Sequence, residues 1–461
     1  MQSRLSSYVT LFVTLLSSHV NASGFLVSEN ETLKTQVNVM APLGHIQQWD
    51  VFRNQLTTLK NSGVSAITTD IWWGDFEAAG DNQFDWSYYQ TYAQVVADSG
   101  LKWIPILSFH QCGGNVGDDC NVPLPAWVWT LGSEQEMKFR DEHGFVNGEY
   151  VSHFFEPIHK QYAEAMKSFA EHFQSFKGII PKLYLSMGPA GELRYPSYYG
   201  PAGWSYPNRG SFQVYGSSGL RDFRSYVYTK YKGDLRLLNA DWHTDLKSFD
   251  EINFPTDGDR FFIEGAKTVY GDDFLTWYEG RLIQHLKIMT QLARENILPL
   301  MPDLRLGAKM SGVHWLHNSP TMPRAAEYTA GYYRYEDILK AMKDLNVELT
   351  FTCLEMDDND KFKAPFYSAP RSILEEVSSI ANRIGLPING ENALAISNNP
   401  SRYDNIASAL QTFSYKSFTL LRMQNIVDLQ GRPTSEMWPF RDKILHPFSV
   451  NWLGDSYHVA E

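Results

Sequence analysis

Three things are scarce in this chain of 461 residues: positive charge, cysteine and long apolar runs. Lys and Arg number 40 against 52 Asp and Glu, a formal net charge of −12. That balance argues against nucleic acid as a partner, because neutralising phosphates takes a basic face. It gives no attraction to an anionic membrane surface either. Beyond the N-terminus no segment approaches the roughly 18 unbroken apolar residues of a membrane span. No glycine-rich dinucleotide fingerprint follows the first strand-like run, since Ala41-Pro-Leu-Gly44 lacks the required spacing. No low-complexity linker or short-period repeat divides the chain.

Cysteine occurs three times. Cys112 and Cys120 lie in a loop rich in Gly and Asp, and Cys353 lies inside an apolar strand-like run. An oxidising compartment permits a Cys112–Cys120 bridge; the alternative is two free loop thiols. Cys353 reads as an inert buried thiol.

What is present begins with a secretion signal. Arg4 supplies the positive n-region, residues 8–16 a short apolar core and Val20-Asn-Ala22 a small-residue cleavage site. Residues 1–22 are therefore expected to be removed, leaving a secreted protein over 23–461. Hydrophobic residues make up 43% of the chain, enough for a sizeable core. Aromatics reach 14%, which reads mainly as core and, beside carboxylates, as platforms for sugar rings.

Strand-like and helix-like patterns alternate eight times. The strand-like runs are 36–41, 66–72, 103–109, 182–186, 305–310, 348–354, 387–389 and 417–422. Several are apolar without alternation, as in strands buried on both faces of a parallel sheet. Between them, apolar stripes recur at helical spacing. Trp49, Phe52, Leu56 and Leu59 precede a stop at Gly63; Tyr162, Met166, Phe169 and Phe173 form a second stripe. Phe274, Tyr278, Leu282, Leu286 and Met289 follow Asp272 and Asp273 as N-capping candidates, and Ile373, Val377, Ile380 and Ile384 precede Gly385. Eight such units in order imply a single (β/α)8 TIM barrel, with a doubly wound sheet as runner-up. Long connections after strands 3 and 4, about residues 110–157 and 188–270, would wall a pocket at the C-terminal face.

Two glutamates end strand-like runs beside glycines: Glu192 after strand 4 and Glu391 after strand 7. Those strands stand across a barrel mouth from each other. Two carboxyls facing one cleft are what glycoside hydrolysis needs. Asp70, His110, Lys309, His314, Thr352 and Arg422 sit at or just beyond matching strand ends, where converging polar groups read as a site. Any one of them alone could instead be a buried ion-pair partner. Asp118 lies among glycines that either make turns or let a lid move. The pair leaves the stereochemistry open. Retaining enzymes hold their carboxyls about 5–5.5 Å apart and inverting ones roughly 6.5–9.5 Å.

The chain resembles the β-amylases, glycoside hydrolase family 14, from about Val37 to Arg422. The resemblance is carried by Val37-Asn-Val-Met-Ala-Pro-Leu43, Thr69-Asp-Ile-Trp-Trp-Gly74, Ser108-Phe-His-Gln-Cys-Gly-Gly-Asn-Val-Gly-Asp118 and Gly188-Pro-Ala-Gly-Glu-Leu-Arg-Tyr-Pro-Ser197. Ala330-Gly-Tyr-Tyr333, Phe351-Thr-Cys-Leu-Glu-Met356 and Asn389-Gly-Glu-Asn-Ala-Leu394 complete it. It implies an inverting exo-hydrolase releasing β-maltose from the non-reducing ends of α-1,4-glucan, with starch or maltooligosaccharide as substrate and the chain acting as a monomer. By motif, Glu192 would be the general acid and Glu391 the general base. Asp118 would belong to a mobile flap and Thr352 to an inner loop. Asp70, His110, Lys309, His314, Asn392, Ala393 and Arg422 would bind substrate.

The Cys112/Cys120 pair resembles the bacterial branch. No cofactor is required for this chemistry. Bacterial members can bind calcium, and Glu77, Asp81 and Glu164 match that site loosely, with Gln161 where a carboxylate is expected; a solvated surface is the alternative. A C-terminal starch-binding domain, frequent in bacterial members, is not expected within this length. Competing readings are a catalytically silent glucan-binding barrel and a retaining β-glycosidase.

Overall fold

The computed structural model describes residues 35–446 apart from Val116 and Ser397. The secretion signal expected over residues 1–22 lies outside the described residues. The eight barrel strands are β1 Gln36–Met40, β2 Ala66–Trp72, β3 Lys102–Ser108, β4 Lys182–Leu185, β5 Arg305–Met310, β6 Val347–Phe351, β7 Ile388–Glu391 and β8 Ser417–Leu420. Each pairs in parallel with its sequence neighbours, and β8 closes on β1 with Gln36 opposite Ser417. This is the (β/α)8 barrel expected from the alternation; the doubly wound sheet is excluded by closure.

The connecting helices follow their apolar stripes. They are α1 Trp49–Ser62, α2 Ser87–Ser99, α3 Ile158–Phe173, α4 Val269–Asn296, α5 Tyr335–Asp344, α6 Pro370–Ile384 and α7 Pro400–Thr412. α1 ends at Gly63, whose φ of 100° is left-handed and lets its N–H reach back to the carbonyls of Leu59 and Lys60. α4 departs from expectation. Its N-cap is Thr268, whose hydroxyl accepts the Gly271 N–H at 3.1 Å. Asp273 is a full turn inside, wholly buried, and accepts from Tyr231 and Trp242 at 2.8 Å each, with Lys230 beside it. Three donors on neighbouring segments claim that carboxylate, so it cannot serve the helix end.

One apolar core lies between the strands and the helix ring, where Trp73, Trp103 and Trp277 are fully buried. The barrel interior is different. Met40, Ala66, Ile104, Ile106 and Tyr184 form a small separate cluster there. Beside it, Lys182 Nζ contacts Glu348 at 2.5 Å and Asn389 at 3.1 Å, while Ser417 donates to Asn389 at 2.7 Å. A buried ion pair persists only when hydrogen bonds satisfy its remaining atoms, as they do here.

The long connections carry local structure. Residues after β3 include a turn of helix at Ala126–Thr130 and a two-stranded ribbon, Phe139–Arg140 with Val146–Asn147. Those after β4 include helices Ser217–Lys230 and Leu235–Trp242. Cys112 and Cys120 are joined, their Cα atoms 5.7 Å apart, and Cys353 is buried and free. No helix among the described residues is long and apolar enough to cross a membrane.

Candidate active site

A cleft of about 910 Å³ opens at the C-terminal ends of the strands. Its lining gathers Glu192, Glu391, Asp70, His110, Asp118, Lys309, His314, Thr352, Asn392, Ala393 and Arg422. The residues expected at the site therefore converge from β2, β3, β4, β5, β6, β7 and β8.

Glu192 follows a tight turn. Pro189–Gly191 is one turn of 3-10 helix in which Ala190 and Gly191 have φ of 55° and 75°. Gly188 is needed for a different reason. A Cβ there would lie 2.4 Å from the Arg194 carbonyl oxygen and 2.6 Å from that of Glu192. The turn leaves Glu192 extended beside the end of β5, where the Leu193 N–H donates to the Lys309 carbonyl at 2.8 Å. Glu391 needs no such device, because it is the last residue of β7 and lies opposite Thr419 on β8.

The two carboxyls are mostly out of water, with side chains 12% and 5% exposed. Their partners differ. Glu192 Oε2 accepts from Arg194 Nε at 2.7 Å. Glu391 holds Lys309 Nζ against both oxygens, at 2.9 and 2.8 Å. Burial pushes the Glu192 carboxyl above its ordinary value; Arg194 opposes this and the nearby Glu391 adds to it.

The groups around them bring polar side chains to the same cleft. Asp70 accepts from Ser108 Oγ at 2.7 Å; burial raises its carboxyl against the pull of Lys309. His110 Nδ1 lies 2.8 Å from Ser186 Oγ, and burial with Lys309 and Arg194 lowers its ring to about 3. His314 Nδ1 lies 2.8 Å from Ser368 Oγ, and burial lowers it to about 4. Both rings are thus neutral at pH 7, and with Nδ1 on a serine each leaves Nε2 for a further hydrogen bond. Arg422 has a buried Nη1 with no partner among the described residues, a donor without a protein acceptor.

Three members bond to backbone through their side chains, and a fourth, Ala393, bonds through its own backbone. Thr352 Oγ1 accepts the Gly312 N–H at 2.8 Å. Asn392 spends its amide on Leu394 and Leu421, with bonds of 2.8–2.9 Å. Ala393 N–H donates to Glu355 at 3.0 Å. Asp118 folds back on its own loop, accepting from Gly113 and Asn115 at 2.9 and 3.1 Å.

Sequence reasoning missed Arg194 and the aromatic wall. Tyr198, Trp204 and Trp315 line the cleft with ring centroids 5.1–5.5 Å apart, and Tyr206, 46% exposed, extends them to the rim. Arg194 stands two residues after Glu192, which was the available signal. The aromatics carried none, since core and platform have the same composition.

A family model described as Glycosyl hydrolase family 14 matches residues 38–447. The chain belongs to that family. A β-amylase of Niallia circulans is 52% identical over 411 residues, 89% of this chain and 70% of that protein. The thermophilic β-amylase of Thermoanaerobacterium thermosulfurigenes is 49% identical over 432 residues, 93% of this chain and 78% of that one. The solved catalytic domain of a Paenibacillus polymyxa β-amylase superposes with a TM-score of 0.86 at 50% identity, covering 89% of this chain and 98% of that domain. These relatives agree with the bacterial branch that the cysteine pair pointed to. This family 14 chain is accordingly an enzyme of the β-amylase group.

Glu77, Asp81 and Glu164 lie outside the family 14 cleft but near one another. The Gln161 amide sits 2.8 Å from Asp81 Oδ1 and 3.1 Å from Glu164 Oε2, bridging them when its –NH2 points their way. Asn82 donates to both as well, at 3.0 and 3.3 Å. Glu77 is engaged otherwise, accepting from Trp73 Nε1 at 2.6 Å and the Asn82 N–H at 2.8 Å. Burial raises its carboxyl to about 7, with Asp81 and Glu164 adding to the effect. Among the described residues no set of three His, Cys, Asp or Glu side chains converges to hold a metal unaided.

Proposed function

We propose that this chain is a secreted, inverting exo-hydrolase that cuts α-1,4-glucan from non-reducing ends and releases β-maltose. Glu192 protonates the glycosidic oxygen, and Glu391 takes a proton from the water that attacks the anomeric carbon. The observation that carries this reading is the unequal partnering of the two carboxyls. A general acid needs a carboxyl kept neutral by burial, and burial raises Glu192. A general base acts as the carboxylate, and Glu391 is the one whose two oxygens both face the Lys309 ammonium. The relatives named as β-amylases support the β-amylase activity. The n-region and apolar core at the N-terminus support secretion.

The test is product analysis on a defined maltooligosaccharide. Proton NMR during the first turnover should show the β-anomer of maltose before mutarotation. An α-anomer would refute inversion, and endo-type product mixtures would refute the exo reading.

The acidic group beside α3 is a further proposal. If a calcium ion binds, Asp81 and Glu164 would hold it, with the Gln161 amide turned so that its carbonyl replaces the –NH2 that now bridges them, since calcium takes hard oxygen ligands. Its role would be to join the segment after β2 to α3, not chemistry.

A further inference from the structure

The side chain facing Glu192 is a buried arginine with partners of its own. Arg194 donates from Nε to Glu192 Oε2 at 2.7 Å, from Nη1 to the Tyr195 carbonyl at 3.3 Å, and from Nη2 to Asn115 Oδ1 at 3.0 Å. Its Cζ lies 4.2 Å from the Tyr198 ring centroid. Asn115 passes the contact on, donating to Glu149 Oε1 at 2.8 Å, while Asn147 holds the other Glu149 oxygen at 2.8 Å. Two buried carboxyls thus share one guanidinium, Glu192 directly and Glu149 through an amide.

This arrangement distinguishes the two oxygens of Glu192. Oε2 accepts from a cation that has no acceptor capacity, so it cannot also carry a proton toward Arg194. The transferable proton therefore belongs on Oε1. We propose that Arg194 is a positioning residue for the general acid: it pins Oε2, leaves the proton on Oε1, and is itself restrained by Glu149 through Asn115. The inference rests on the reading of Glu192 as the acid.

The charges fix the sign of each perturbation. Facing Glu192 are Arg194, Glu391 and Lys309, with the neutral Tyr198, Tyr332 and Cys353. Facing Arg194 are Glu192, Glu149, Tyr198 and the neutral His110. Facing Glu149 are Arg194, Asp118 and Tyr199. Removing Arg194 leaves burial and Glu391 to favour the protonated acid more strongly. Neutralising Glu149 turns more of the guanidinium field onto Glu192 and favours the carboxylate.

The experiment is the pH profile of kcat/KM on maltoheptaose for the wild type, Arg194→Met, Arg194→Lys and Glu149→Gln. Activity is lost as pH rises through the pKa of the acid, so the basic limb reports on Glu192. Arg194→Met should move that limb up by about one pH unit or more. Its kcat should fall about tenfold or more with KM moving less, because the loss is in proton delivery. Arg194→Lys should bring the limb back toward the wild type, and Glu149→Gln should move it down. Limbs that coincide with the wild type, or that move the same way in Arg194→Met and Glu149→Gln, overturn the proposal. If Arg194→Met does not fold, Glu149→Gln decides alone: an unmoved limb is fatal.

Glu192→Gln assayed on α-maltosyl fluoride tests the underlying reading separately, since fluoride leaves with little protonic help. Retained turnover there supports Glu192 as the acid whatever Arg194 does. Equal loss on both substrates overturns that reading, and the Arg194 proposal with it.

Discussion

Lys309 grips Glu391 with its ammonium, at 2.9 and 2.8 Å from the two carboxylate oxygens. The backbone carbonyl of the same lysine accepts the N–H of Leu193, the residue after Glu192. One residue at the end of β5 thus sets the position of both carboxyls. Buried pairs of this kind cost several kcal/mol when one partner is removed, because the other is left charged and unsolvated. Lys309→Met is expected to destabilise the fold by about 3–5 kcal/mol and to depress kcat. Urea unfolding with parallel kinetics checks both; an unchanged midpoint with retained activity would contradict the role.

Glu192→Gln and Glu391→Gln are isosteric and keep a hydrogen-bond acceptor. Each should lower kcat on soluble starch by about 10²–10⁴-fold, the usual share of a general acid or base. Maltose affinity by calorimetry should stay within a few fold. Turnover within tenfold of the wild type in either variant would remove that residue from the chemistry.

Glu77 gives a pH signature in stability. Its carboxyl is raised from 4.5 to about 7, first by burial. A raised carboxyl contributes stability that is fully present below its unfolded pKa and is lost as pH rises through its folded pKa. The contribution should therefore fade between about pH 4.5 and pH 7, and Glu77→Gln should melt higher than the wild type at pH 8. Differential scanning calorimetry at pH 4.5 and 8 checks the sign. Calcium at pH 8 should raise the wild-type melting temperature if Asp81, Glu164 and Gln161 hold the ion; no change with added calcium or chelator would refute it.

Gly188→Ala probes the turn before Glu192. The added Cβ meets two backbone oxygens, 2.4 and 2.6 Å away, and neither can swing aside as a side chain would. A displacement of the order of 1 Å at a reacting group costs about 10² in rate, so kcat should fall by roughly that factor. Gly178→Ala, with nothing within 4 Å of its Cβ, is the control and should leave kinetics unchanged. Equal activity in the two variants would show that the turn does not hold Glu192.

The alternation of apolar runs was enough to read eight strands in order, because strand and helix periods leave different marks on the chain. Burial on both faces of the strands was legible for the same reason. The N-cap of α4 was not. Asp272, Asp273 and Thr268 all have capping side chains, and the choice fell to Thr268 because Lys230, Tyr231 and Trp242 come from elsewhere in the chain to claim Asp273.

The candidate site divides along the same line. That Glu192, beyond strand 4, and Glu391, at the end of strand 7, face one cleft follows from the order of elements alone, since strands 4 and 7 of a closed barrel lie across its mouth. What each carboxyl touches does not follow. Lys309 against Glu391, Arg194 against Glu192 and Glu149 behind Asn115 are contacts between residues distant in sequence or turned by a tight loop. Sequence determined which groups reach the cleft, because pattern and period are local. Only the tertiary structure decided which carboxyl received an ammonium and which a guanidinium, because burial and charge depend on distances the chain sets by folding.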